Sequence, residues 1–203
     1  MSAHAELTRA LKRIVDNIDQ SIRDGGYQGE AIRMIIAGGI AVHRYCGTRY
    51  TQDIDATFSR MGFNMPTDDG LQVQYRRDDN KLSLLYLDKN YNSAFALMHE
   101  DHEEDALEWE GIGNEERIIR VYTLAPVDLA LSKIARYGEQ DREDILALAA
   151  GGWFTAEQFR TRALEALPYF VGNMESARTG IDLMFDAMLQ QRQASLQQAE
   201  QMI

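Results

Sequence analysis

Ala37-Gly38-Gly39-Ile40-Ala41, and shortly after it Gly47-Thr48-Arg49-Tyr50-Thr51-Gln52-Asp53-Ile54-Asp55, is the stretch whose reading decides the fold. The apolar run from Ile32 to Ala37 breaks at the two glycines. Ile40 to Tyr45 reads as a short helix stopped by Gly47, and Thr51 to Phe58 as a strand with Asp53, Asp55 and Thr57 on one face. Glycines at such a strand-to-helix turn let backbone N–H groups approach a phosphate, and the helix start adds positive potential. Carboxylates two residues apart on a strand project from one face, the separation needed to share divalent cations. Asp-x-Asp by itself is common and most often marks a solvated strand edge. The diglycine turn, with 13 residues between Gly39 and Asp53, argues against that bland reading here.

Outward from this stretch, Leu7, Leu11, Ile14, Val15, Ile18 and Ile22 form a helical stripe over Ala5 to about Asp24, closed by Gly25-Gly26. Downstream, the spacing predicts strands through Leu71-Val73-Tyr75, Leu82-Leu84-Tyr86 and Phe95-Leu97, with turns at Asp78-Asp79-Asn80 and Asp88-Lys89-Asn90. Arg117 to Thr123 is the last expected strand. After Pro126 the pattern becomes helical: Val127 to about Tyr137, Asp141 to Ala150, Thr155 to Leu167 and Ser176 to Gln193. The expected architecture is α+β, a mixed and mostly antiparallel sheet flanked by helices, followed by a helical region. Residues 1–124 form the α/β domain and 125–203 a helical domain packing against it, with the metal and triphosphate in the cleft between.

The 203 residues, 45% hydrophobic and 26% charged, are ordinary for a soluble globular chain. No apolar run approaches the roughly 18 residues of a membrane span, and no basic segment with an apolar core opens the sequence. The single cysteine, Cys46, excludes an intramolecular disulfide. A cytoplasmic setting without a membrane partner is expected. The net charge of −11 disfavours a long nucleic-acid duplex as principal partner, because such binding rests on many neutralised phosphates.

The two blocks together resemble the nucleotidyltransferase superfamily with the polymerase-beta-like fold, and most closely its small bacterial branch of abortive-infection and toxin-type enzymes. In that branch a Gly-Gly-x-Ala turn leads to Gly-x-Arg-x-Thr-x-Asp-Ile-Asp, which Gly47, Arg49, Thr51, Asp53, Ile54 and Asp55 reproduce. A later Asp-x-x-x-x-Lys helix and Asp-x-x-Asp-Ile segment are matched by Asp128, Lys133, Asp141, Asp144 and Ile145. The chain departs at Ile40, where many members carry Ser or Thr, and at Gln140, where relatives often have a basic residue.

The resemblance implies a transfer of a nucleotidyl group from a nucleoside triphosphate, ATP or another, to a hydroxyl acceptor. Asp53 and Asp55 would bind Mg²⁺ or Mn²⁺, Gly38 and Gly39 cradle phosphates, and Thr51, Arg49 and Lys133 serve the nucleotide. The acceptor is a protein, a tRNA end or a small molecule. An antitoxin-like partner in a toxin–antitoxin or phage-defence system is a further implication. A third metal-binding carboxylate is expected on a later strand. If Phe95 and Leu97 continue in strand alternation, Asp101 shares their face, ahead of Glu103 and Asp105. The same acidic run, with His99 and His102, also fits a separate zinc or redox-metal site or a solvated loop, though not a His-Glu-x-x-His motif. For Lys133 the plain alternative is an exposed helical lysine. His43 and Cys46 read as packing residues, and Tyr86, Tyr91, Trp109 and Trp153 as anchors. A catalytically inactive binding protein on the same fold is the alternative function.

Overall fold

A computed structural model describes residues 3–47, 49–77 and 79–201. The protein is α+β and forms two compact units. The first runs to Tyr91 and takes in Ala106–Leu124; the second combines Asn92–Asp105 with the residues from Ala125 on.

The first unit begins with α1 (Ala3–Asp24), whose six-residue apolar stripe is fully buried. Each such side chain contributes about 1.5–3 kcal/mol on leaving water. Asp19 on this helix is buried too. Its Oδ1 accepts the amides of Ile118 and Ile119 at 2.7 and 3.1 Å, while Arg23 holds Oδ2 at 2.7 Å. A charge inside the unit is thereby satisfied, and the entry to the last strand is fixed on α1.

Two small sheets follow. One has the order β3-β1-β7-β6, from β1 (Ile32–Ile36), β3 (Ala56–Phe58), β6 (Leu107–Glu108) and β7 (Ile119–Thr123). β1 runs parallel to β7 and antiparallel to β3. The other has the order β2-β5-β4, from β2 (Asp53–Ile54), β4 (Gln72–Arg76) and β5 (Leu82–Leu87). α2 (Gly38–Cys46) links β1 to β2 and ends on Gly47, whose φ of 71° is the left-handed cap expected of glycine.

Three expectations for this region need correction. The strand drawn from Thr51 to Phe58 is two strands in different sheets, with Asp55 at the joint. In β5 the core face is Leu85 and Leu87, not Leu82, Leu84 and Tyr86. No strand passes through Phe95 and Leu97: Ser93–Phe95 is a 3₁₀ turn, with Phe95 exposed and Leu97 buried.

The second unit contains α3 (Pro126–Leu131), α4 (Glu139–Ala150), α5 (Ala156–Ala166) and α6 (Met174–Gln201). Thr155 and Gln158 form a reciprocal capping box at the start of α5. α3 stops at Leu131, six residues short of the expected end. Residues 132–136 follow as turns, and Tyr137 adopts a φ of 47°. Among the described residues, no helix is long and apolar enough to cross a membrane.

Candidate active site

The first-unit candidates gather at the end of β1. Gly38 has a φ of 62°, and a Cβ built on it would overlap Asp55 Oδ2 and lie 2.8 Å from its Cγ. Only glycine lets that carboxylate rest against the backbone. Beside it, a Cβ on Gly39 would come within 2.9 Å of the Thr51 Cβ, and the Thr51 hydroxyl donates to Asp53 Oδ1. The Ala37 amide donates to the Asp55 carbonyl at 2.8 Å, which ties the joint between β2 and β3 to the glycine corner.

α2 starts at Gly38, and its cap residue, Ala37, has no side chain able to cap. Ala37 therefore supplies no side-chain acceptor to the first-turn amides, and the helix dipole favours an anion there. Ile40 is fully buried, so a helix start with isoleucine at this position offers backbone donors and no hydroxyl. Arg49 lies in the loop after α2, where its carbonyl accepts from His43 Nδ1 at 2.5 Å. His43 itself is buried, in keeping with a packing role.

β5 adds residues that sequence reasoning did not single out for the site. β2 and β5 are parallel, with Asp53 opposite Tyr86 and Ile54 opposite Leu87. The Asp88 amide donates to the Ile54 carbonyl at 3.1 Å, which ties the end of β5 to the residue before Asp55. Ile54, Leu85 and Leu87 are buried, whereas Asp53, Asp55, Tyr86 and Asp88 are not. Tyr86, 38% exposed, is therefore no core anchor but lies on the face that carries the aspartate pair. The signal for Asp88 was its place directly after an apolar strand, which its turn-forming neighbours Lys89 and Asn90 masked. Its Oδ1 accepts the Asn90 amide at 2.8 Å.

The remaining candidates belong to the second unit. Asp101 sits in a single 3₁₀ turn, Glu100–His102, so the strand alternation that selected it is absent. Its amide donates to His99 Nδ1 at 3.1 Å and its carboxylate is exposed. Glu103 is also exposed, and Asp105 pairs with Arg162 at 2.6 Å. His102 Nδ1 lies 2.6 Å from the His99 carbonyl. Among the described residues, no three His, Cys, Asp or Glu side chains gather closely enough to hold a metal ion.

Lys133 is not the exposed helical lysine of the plain alternative. It lies in the turn after α3 rather than on a helix, and is only 3% exposed. Its Nζ donates to Asp144 at 2.8 Å and lies 3.7 Å from Asp141. Burial works against ionisation of Asp141, but hydrogen bonds from Arg136 and the Gly138 amide, with the charges of Arg136 and Lys133, prevail. Together they hold its carboxyl below the ordinary range. Asp128, fully buried, takes two bonds at 2.9 Å from Arg162. The second sequence block is thus a set of inward-facing ion pairs in the helical unit.

No curated protein shows significant similarity to the chain. A family model described as "Nucleotidyltransferase of unknown function (DUF6036)" matches residues 10–180, a span that includes the glycine corner, the aspartate pair and the buried ion pairs. With that match covering most of its length, the chain belongs to this nucleotidyltransferase family.

Proposed function

We propose that the protein transfers a nucleotidyl group from a nucleoside triphosphate to a hydroxyl acceptor, with Asp53 and Asp55 holding Mg²⁺ or Mn²⁺. The observation that carries this reading is the seat of the Asp55 carboxylate against Gly38 at the start of α2. Two hard oxygen donors beside a glycine cradle suit a small divalent cation, which keeps part of its shell for phosphate oxygens and water. Bound there, the cation supplies charge neutralisation and a template for the triphosphate.

The protein's own groups do the rest. The first-turn amides of α2 hold phosphate oxygens, and Thr51 orients the Asp53 carboxylate through its hydroxyl. Arg49 on the neighbouring loop offsets phosphate charge. The acceptor oxygen bonds to the α-phosphorus while the bond to the α–β bridging oxygen breaks. Pyrophosphate leaves with that electron pair, and the hydroxyl proton passes to a carboxylate or to water. Rate enhancement comes from positioning and electrostatics.

Lys133 is assigned a supporting role, since Asp144 and Asp141 already engage it. Asp101 enters as a metal ligand only through the family resemblance, which also implies a toxin–antitoxin or phage-defence setting in the cytoplasm. Incubating cell extract with α-labelled NTPs, Mg²⁺ and the protein tests the proposal. Label should appear on one class of acceptor, and Asp53→Ala should lower incorporation at least 1,000-fold while the circular dichroism spectrum is preserved. An Asp53→Ala protein of equal activity would remove the catalytic assignment.

The second reading, a catalytically inactive nucleotidyltransferase-fold binding protein, draws on Ile40 standing where many superfamily members carry a hydroxyl. Calorimetry with Mg²⁺ and each NTP separates the two, because metal-dependent NTP binding belongs to the first reading alone.

A further inference from the structure

Next to the aspartate pair, within the first unit, lies a pocket of about 490 Å³. Its walls are mostly apolar, from Phe58, Met61, Phe63, Met65 and Leu87. Phe58 and Phe63 meet edge to face with ring centroids 5.5 Å apart. Ala56 and Thr57, the two residues after Asp55, form one side, and Asp88 and Lys89 stand on the other. Nothing from the glycine corner, α2 or Thr51 lines it, so the groups suited to a triphosphate lie outside this cavity.

We infer that this pocket is the acceptor subsite, and that it takes a small molecule with an apolar, ring-sized body and a hydroxyl group. The inference deepens the nucleotidyltransferase reading and rests on it. The volume falls in the range of sites that enclose small ligands, and such sites pair apolar walls with a few placed polar groups. Here, beside the Thr57 and Tyr91 hydroxyls, the charged acceptor is Asp88. Its Oδ1 is taken by the Asn90 amide, and Oδ2 accepts no hydrogen bond from any described residue. Lys89 is engaged by Asp68, so the charged group presented to a ligand is an acceptor rather than a donor. A hydroxyl is the neutral group that both donates to a carboxylate and attacks phosphorus. Because the Asp88 amide is bonded to the carbonyl of the residue before Asp55, a hydroxyl held there stands close to the carboxylate proposed to carry the cation. Its oxygen forms the new bond to the α-phosphorus, pyrophosphate departs with the bonding pair, and Asp88 Oδ2 receives the proton. Met61, 85% exposed at the rim, and Met65 give the walls the adaptability of unbranched thioethers.

The test uses the full chain labelled with methyl-¹³C methionine, the Met61 and Met65 signals being assigned with Met61→Leu and Met65→Leu. The probes are 2-phenylethanol, its methyl ether and the Mg²⁺ complex of a non-hydrolysable ATP analogue. The alcohol should shift the Met61 and Met65 methyls saturably at millimolar concentration and leave the buried Met34 and Met184 methyls in place. The ether should bind at least three-fold more weakly, a difference that Asp88→Ala abolishes. Silence of both rim methyls, or the ATP analogue displacing the alcohol from them, would overturn the assignment. Calorimetry on the same sample separates the two levels. If the analogue binds while the methyls stay silent, the pocket assignment alone falls; if the analogue does not bind, the transferase reading falls and takes the subsite with it.

Discussion

Gly38 is the residue on which the geometry of the proposed active site turns. Its positive φ suits only glycine, and the Asp55 carboxylate occupies the space a side chain would need. Gly47 offers a built-in control, since it also has a positive φ but nothing lies within 4 Å of its missing Cβ. Gly47→Ala should therefore cost about 1 kcal/mol in urea denaturation and leave Mg²⁺-dependent NTP binding unchanged. Gly38→Ala should cost about 1–3 kcal/mol and abolish that binding, because the added methyl displaces Asp55 as well as straining the backbone. Equal NTP affinity in the two variants, measured by calorimetry, would mean that the glycine corner does not touch the nucleotide. The corner was readable in the sequence because two adjacent glycines at the end of an apolar run have few other uses. Asp88 was not, because one turn-forming acid between Leu87 and Lys89 looks like any other.

At the scale of elements, local periodicity revealed α1, β1, α2 and α5, whose apolar spacing and caps are written within a few residues. It failed where distant partners decide. β5 carries apolar side chains on both faces, and only α1 and the neighbouring strands determine that Leu85 and Leu87 go inward. The helix drawn through Lys133 ends early at Leu131, and the inward lysine meets Asp144, 11 positions away in sequence. Removing one partner of such a pair leaves a buried charge uncompensated, so Lys133→Met should destabilise the protein by about 3–5 kcal/mol in urea denaturation. Asp141 in the same cluster predicts an acid limb. Its folded pKa lies below the unfolded value of 3.8, so its contribution is present above that value and lost as pH falls through the folded one. Urea midpoints of the wild type should drop more steeply below about pH 4 than those of Asp141→Asn, whose residue cannot titrate. Parallel curves would place the acid sensitivity elsewhere.

For the molecule as a whole, the α+β class and the succession of a sheet-bearing first part and a helical second part were legible from the switch in apolar period near Pro126. The division of the sheet into two, with Asp55 at the joint, was not. Nothing in Asp53-Ile54-Asp55-Ala56 announces that Ile54 pairs toward β5 while Ala56 pairs toward β1. Yet that joint is what sets both carboxylates beside the helix start. The net charge of −11 gives the chain as a whole no attraction for a triphosphate, so the proposed binding rests on the local cradle and its cations. Anomalous diffraction from crystals grown with Mn²⁺ and a non-hydrolysable NTP tests this most directly. Manganese should appear against the carboxylates of Asp53 and Asp55, with triphosphate oxygens on the amides at Gly38 and Gly39. Manganese bound away from Asp53 and Asp55, or a triphosphate seated away from the glycine corner, would contradict it.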